Sequence, residues 1–412
     1  VERFLLKYCF HLLIPLLFLA CQPSSNDNYI LLVSFDGFRA DYSDSVATPG
    51  LDLIASEGVR GSLRPVFPSN TFPNHYSIAT GLYPAKHGLV DNQFFDPQRE
   101  RWYRLRDSVA VSDGSWYGGE PIWATVERHG LPSATYFWVG SEAKINGYRP
   151  RYYYPYVHRT VHQTKRKQLN DWLQLPQGER PRFISLYFHD TDGAGHRYGP
   201  QAEATRAAVQ QLDSVILAIR RDIRELGLAD KLNLIVVSDH GMIGVSKQRM
   251  INIDEIINSE AVRIAGLGPL LHLYCHTPEQ RDALYRQLRD DENHYRVYRR
   301  DETPERWHYR HNPRIGDLLV VADAGWLLMT DEALGRGGYR SVGAHGYDNY
   351  HPAMQGIFFA EGPAFQRGFN AGHLRNIDLY PLICALLQLA DPATVDGNLD
   401  SIAHVLRAGF HD

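Results

Sequence analysis

Three runs of consecutive apolar residues, each cut off by aspartate and glycine, constrain this chain more than any other feature. "YILLVSFDG" stops at Asp36-Gly37, "RFISLYFHDTDG" runs out over 190–193, and "LNLIVVSDHG" stops at Asp239-His240-Gly241. A strand with one wet face alternates apolar and polar side chains, whereas an unbroken run needs burial on both faces. Over 203–226, Val209, Leu212, Ile216, Ile219, Ile223 and Leu226 recur at helical spacing, with Gly227 as the stop. Buried strands alternating with such helices predict an α/β fold on a largely parallel sheet. Sites in these sheets gather at the carboxyl ends of the strands. Asp36, Asp192, Asp239 and His240 all fall there.

The ends of the chain read differently. Arg3 and Lys7 precede the apolar run "HLLIPLLFLAC" at 11–21, which has the pattern of a secretory signal and is short for a membrane span. Its close at Cys21 resembles a bacterial lipoprotein signal, so a lipid anchor at Cys21 is expected. The expected organisation is a leader over 1–21, a polar tether over 22–28 and one catalytic domain over 29–412. Segment 270–330 is expected to form a small α+β insertion. The protein is then exported, periplasmic or at the cell surface, and meets a membrane only through its anchor. A net charge of -4 leaves no basic footprint for a nucleic-acid groove. Cys275 and Cys384 lie in apolar segments, as two buried thiols or as a disulfide.

The chemistry gathers in a few short stretches. Asp192 and His196 lie four apart on a glycine-rich turn, Asp239 and His240 are adjacent, and His345 sits in "GAHGYDNYH". Taken singly, each has an ordinary explanation: Asp-Gly closes strands as a turn, and a lone histidine fills a core. Together with Asp36 they make three aspartates and three histidines, the oxygen and nitrogen donors that zinc takes. The count suits two Zn2+ ions better than one. In "PSNTFPNHY", Asn70-Thr71-Phe72-Pro73 reads as a helix start. Thr71 either caps that helix or presents its hydroxyl where a phosphate would bind. A zinc ion beside it would lower the hydroxyl pKa and make it a nucleophile.

"VSFDGFR", "PSNTFPNHYSIATGLYPAKHGLVDNQFFDP", "DGAGHRYGP", "VVSDHGM" and "GAHGYDNYHPAMQGIFFAEGPAF" together resemble the nucleotide pyrophosphatase/phosphodiesterase family of the alkaline phosphatase superfamily, as a bacterial member. The resemblance covers about 29–390 and implies an alkaline-phosphatase-like central sheet flanked by helices on both faces. It implies that Asp36, Thr71, Asp239 and His240 hold one zinc, and Asp192, His196 and His345 the other. It further implies that Thr71 is the nucleophile, forming a phospho-threonine that water hydrolyses to release a nucleoside 5′-monophosphate. Asn74 and the Phe72 amide would bind a phosphate oxygen, and Phe72 and Tyr156 would stack on the base of a small nucleotide or phosphodiester substrate. Asp190-Thr191-Asp192 departs from the family's Glu-Pro-Asp, so two aspartates compete for one ligand role; the spacing to His196 favours Asp192. His75 and His87 read as structural. Two alternatives stand beside this reading: a phosphodiesterase of choline- or glycerol-type lipid headgroups, and a non-catalytic metal-binding surface lipoprotein. An acylated Cys21 at the mature N-terminus, detected by mass spectrometry, is the expected outcome; an unmodified terminus elsewhere rejects the anchor.

Overall fold

The structure, a computed structural model, describes residues 28–335 and 340–409. The expected leader and nearly all of the tether lie outside these residues. None of the described helices is long and apolar enough to cross a membrane.

The apolar run at the start of the described chain forms β1 (Tyr29–Phe35), buried along its whole length. It pairs in parallel with β5 (Phe183–Phe188) on one side and β6 (Leu232–Val237) on the other. β2 (Val59–Arg64), β3 (Ser133–Tyr136), β4 (Tyr152–Tyr154), β11 (Gly356–Glu361) and β12 (Phe369–Arg375) complete an eight-stranded sheet in the order β12-β2-β11-β6-β1-β5-β3-β4. Only β11 runs against its neighbours.

Alternate residues of β1 enter opposite cores, because successive side chains of a strand point to opposite faces. Ile30 and Leu32 pack in the cluster that holds Ile78 of α2 (Thr71–Thr80) and Leu382 of α7 (Leu379–Leu386). Leu31, Val33 and Phe35 pack in the cluster that holds Ile54 of α1 (Pro49–Glu57), Leu169 of α3 (His162–Leu173) and Ile216 of α5 (Glu203–Glu225). The sheet is therefore covered on both faces, as its unbroken apolar strands require.

A second sheet of β7 (Arg263–Ala265), β8 (Leu270–Tyr274), β9 (Tyr295–Arg299) and β10 (Leu318–Ala322) has the order β7-β8-β10-β9 and is antiparallel throughout. α6 (Pro278–Asp290) buries Leu288 against Leu271, Leu273, Tyr295 and Val297 of this sheet. Cys275 and Cys384 are free thiols.

One expectation is corrected. Residues 190–193 are not a glycine-rich turn but the start of α4 (Asp190–Tyr198). The helix forms despite its glycines because it is packed down: a Cβ on Gly195 would come within 3.1 Å of Met242. At the end of β1, Gly37 has φ +66, and a Cβ there would meet the Asp192 Cα at 2.9 Å. The β1 turn and the first turn of α4 touch at this point, so their spacing depends on glycine. Gly37→Ala is expected to lose about 1–3 kcal/mol of stability, from a left-handed conformation and a backbone collision together. Urea denaturation checks this, and an unchanged midpoint rejects it.

Candidate metal centre and nucleophile

Adjacent strands end side by side, and the site follows from that. Asp36 comes directly after β1, and Asp239 lies two residues beyond the end of β6, its parallel neighbour. α4 follows the other neighbour, β5, and its helical spacing sets Asp192 and His196 one turn apart on one face. His345 follows the short strand Gly343–Ala344, which pairs with Ile243–Gly244 just beyond His240. Thr71 is the first residue of α2; Asn70, not Thr71, is its N-cap residue.

The side chains converge closely. His240 Nε2 lies 3.3 Å from Asp36 Oδ1 and 3.1 Å from Asp239 Oδ2. Asp192 Oδ1 lies 3.3 Å from His196 Nε2 and 3.4 Å from His345 Nε2. The two histidine nitrogens of that group are 3.1 Å apart, and the His240 and His345 rings stack at 3.6 Å. Thr71 Oγ1 is 3.3 Å from His240 Nε2. Two overlapping groups of donors emerge by proximity, Asp36 with Asp239 and His240, and Asp192 with His240 and His345.

The donor set fits metal ions. Asp36 Oδ1, Asp192 Oδ1 and Asp239 Oδ2 are buried and make no hydrogen bond, although buried carboxylate oxygens are costly to leave unmatched. Each of the three histidines points its Nδ1 at a backbone carbonyl: His240 at Gly241 (2.8 Å), His196 at Gly343 (2.9 Å) and His345 at Ser69 (3.0 Å). Nδ1–H therefore donates outward, and the Nε2 lone pair is left facing the cluster, as in metal-ligating histidines. Burial, then the Asp239 and Asp192 charges, pushes the Asp36 carboxyl up. Burial and then His240 hold the His345 imidazole down at about 3, in the neutral form that a ligand needs. Burial pushes Asp192 the other way, but the His196 and His345 rings outweigh it and set that carboxyl at about 2.

Supporting groups complete the site. Tyr187 Oη–H donates to Asp36 Oδ2 at 2.5 Å, and the Gly37 amide donates to Asp239 Oδ1 at 3.1 Å. His75 sits behind the cluster, with Nδ1 at 3.0 Å from the Thr71 carbonyl and 3.3 Å from Asp239 Oδ2, and Nε2 accepting from Ser34. It thus ties the nucleophile's helix to Asp239. Asp190 is occupied elsewhere, since both its oxygens lie 3.0 Å from His162 Nε2. Asp192 is the aspartate of this pair that the structure brings beside His196 and His345.

Asn74 is placed differently from expectation. It is wholly buried: Oδ1 accepts from the Val66 amide and from Asn376, and Nδ2 donates to the carbonyls of Pro68 and Asn70. No capacity is left for a phosphate, so Asn74 is a structural brace. The Phe72 amide is also engaged, donating to Asn92 Oδ1 at 2.9 Å. Asn92 was missed by sequence reasoning: it lies 20 residues beyond Phe72, in the same family-like stretch, and only the folded chain brings it to the nucleophile's helix. Phe72 is half-buried with its ring edge on Tyr103, and Tyr156 is exposed, packing on Phe137 and near Tyr187. Burial, then the Asp36 charge, pushes the Tyr156 hydroxyl up to about 12. Among the described residues no ring contact joins Tyr156 to Phe72.

The chain is similar to known proteins over most of its length. Residues 30–348 match the family model described as Type I phosphodiesterase / nucleotide pyrophosphatase. Human ectonucleotide pyrophosphatase/phosphodiesterase family member 1 is 35% identical over 388 residues, 92% of this chain and 42% of that one. The venom phosphodiesterase of Naja atra is 33% identical over 405 residues, 95% of this chain and 48% of its own. The chain thus spans about half the length of these relatives. The structure of murine ectonucleotide pyrophosphatase / phosphodiesterase 5 superposes with a TM-score of 0.87 at 32% identity, covering 92% of this chain and all of that one. That mouse protein is also known as an inactive threonine-to-alanine variant in complex with AMP, with the same TM-score and identity. The mixed sheet with helices on both faces is the alkaline-phosphatase-like α/β fold.

Metal-stripped protein is expected to gain stability when a divalent cation is added, about 2.7 kcal/mol at a hundredfold excess over Kd. Asp239→Asn is expected to lose most of that gain. A thermal shift that is equal in both proteins rejects these carboxylates as ligands.

Proposed function

Because the chain belongs to the Type I phosphodiesterase / nucleotide pyrophosphatase family, we propose that it is a two-zinc hydrolase of nucleotide phosphodiester and pyrophosphate bonds, releasing nucleoside 5′-monophosphates. The observation that carries this reading is the set of three buried, unmatched carboxylate oxygens meeting histidine Nε2 atoms beside a threonine at a helix start. Asp36, Asp239, His240 and Thr71 would hold one ion, and Asp192, His196 and His345 the other. Bound there, the ions would supply Lewis acidity that stabilises the oxygens of an in-line phosphoryl transfer.

The chain's own groups do the rest. Thr71 Oγ1 gives up its proton and forms the bond to phosphorus as the bond to the leaving oxygen breaks, that oxygen taking a proton from solvent; water then cleaves the phospho-threonine P–O bond and restores the hydroxyl. Thr71 is the first residue of α2, where the helix dipole favours an anionic phosphate. Asn92 takes the role first given to Asn74. Its Oδ1 is fixed by the Phe72 amide, and its Nδ2 has no hydrogen-bond acceptor among the described residues. We assign that N–H to a non-bridging phosphate oxygen. Phe72 and Tyr156 are accessible enough to stack on a nucleobase, and the AMP bound by the mouse relative supports a nucleotide as the ligand class. The leader and the family's relatives support export, with the anchor at Cys21 as part of this proposal.

Thr71→Ala is expected to keep both metals, by elemental analysis, and to lose about three orders of magnitude or more in kcat. A chiral phosphorothioate should react with retention; inversion would mean direct attack by water. Removing a stacking ring costs about 1–3 kcal/mol, so Tyr156→Ala should lower kcat/KM for nucleotide esters about tenfold to a hundredfold. A base-free diester should be nearly unaffected. Equal losses on both substrates would sink the stacking role, and preferred turnover of a phosphocholine diester would move the assignment to lipid headgroups.

A further inference from the structure

A buried histidine of the small antiparallel sheet lies next to the nucleophile's supports. His272, in β8, is fully buried. Its Nδ1 accepts a hydrogen bond from the Gly316 amide at 3.2 Å, so that nitrogen carries no proton. The proton of the neutral ring is therefore on Nε2. Nε2 makes no hydrogen bond among the described residues, and the carboxylate oxygen Asp91 Oδ2 lies 3.4 Å away.

Asp91 is itself buried, and its other oxygen holds the chain on both sides of Thr71. Oδ1 accepts from Asn70 Nδ2 at 2.6 Å and from the Asn92 amide at 2.7 Å. Asn92 Oδ1 in turn takes the Phe72 amide. Asn70 precedes the nucleophile and Phe72 follows it. Asn70 is also held from the opposite side, since a Cβ on Gly346, next to His345, would meet its Oδ1 at 2.6 Å.

We propose that His272 is a positioning residue for Thr71, acting through Asp91, and that the small sheet thereby sets the aim of the nucleophile. The inference rests on the phospho-threonine reading above. The arrangement needs acceptor character on both Asp91 oxygens: Oδ1 takes Asn70 and Asn92, and Oδ2 faces His272 Nε2–H across 3.4 Å, a charge–dipole contact rather than a hydrogen bond. A carboxylate provides it; an amide provides it on one side only. Removing the imidazole leaves Asp91 Oδ2 free to turn, and a shift of about 1 Å at a reacting atom can cost about a hundredfold.

His272→Leu, His272→Gln and Asp91→Asn test this in the full chain. His272→Leu is expected to lower kcat on a nucleotide ester about tenfold to a hundredfold, with KM and metal content unchanged. His272→Gln keeps one acceptor for Gly316 and one donor for Asp91, and should recover most of that loss. Asp91→Asn should match His272→Leu, and the double variant should add no further loss, as expected of residues acting in one chain of contacts. Hydrogen exchange should quicken over 70–76 in His272→Leu and not across β1. A kcat within twofold of wild type in a folded His272→Leu overturns the proposal, as does a loss that glutamine fails to repair. If His272→Leu does not fold, Asp91→Asn against His272→Gln decides on the same criteria. If the wild type turns over no nucleotide ester while exchange at 70–76 still quickens, the positioning link stands and the proposed function fails.

Discussion

Three buried carboxylates, each turning one oxygen without a hydrogen bond toward the others, set the terms for the rest of this fold. Asp36, Asp192 and Asp239 each carry an oxygen that no protein group satisfies. Burial, then the Asp239 and Asp192 charges, opposes ionisation of Asp36 and pushes its carboxyl up, while the neighbouring histidines favour the charged forms of Asp192 and Asp239. The scaffold over-determines this arrangement, and it leaves a set of donors whose cost a cation would offset. The double coverage of the sheet, the glycine contact between Gly37 and Asp192, and the outward-facing histidine Nδ1 atoms all hold this frustrated cluster together.

Much of this was legible in the sequence. The unbroken apolar runs marked β1, β5 and β6, and the aspartates at their ends mark where the cluster lies, because burial on both faces leaves strand termini as the place for polar groups. The helical spacing over 203–226 foretold α5 almost to its ends. Less legible was the helix at 190–198. Its glycines argued for a turn, and only packing against Met242 overrides that local preference.

The asparagines were the harder case. Asn74 follows the nucleophile closely in sequence, which suggested a shared role. Helix geometry instead turns its side chain back into the protein, where four partners occupy it. Asn92 comes from a separate loop and reaches the Phe72 amide only in the folded chain. Nearness along the chain favoured the wrong asparagine. Likewise, nothing in "LLHLYCH" links His272 to "PSNTFPNHY", because their connection passes through Asp91.

The cluster draws its groups from the end of β1, the start of α2, α4, the loop after β6 and the segment at His345, so almost the whole described chain lies between its first and last member. Contacts of such sequence separation slow folding, because loop-closure entropy is lost before they form. Half of the domain cannot present half of the centre. On the proposed function, cation uptake would be a gauge of completed folding: any substitution that loosens the sheet, however remote, would mimic the loss of a ligand. Occupancy and conformational stability have to be measured together before a vacancy is attributed to any one side chain.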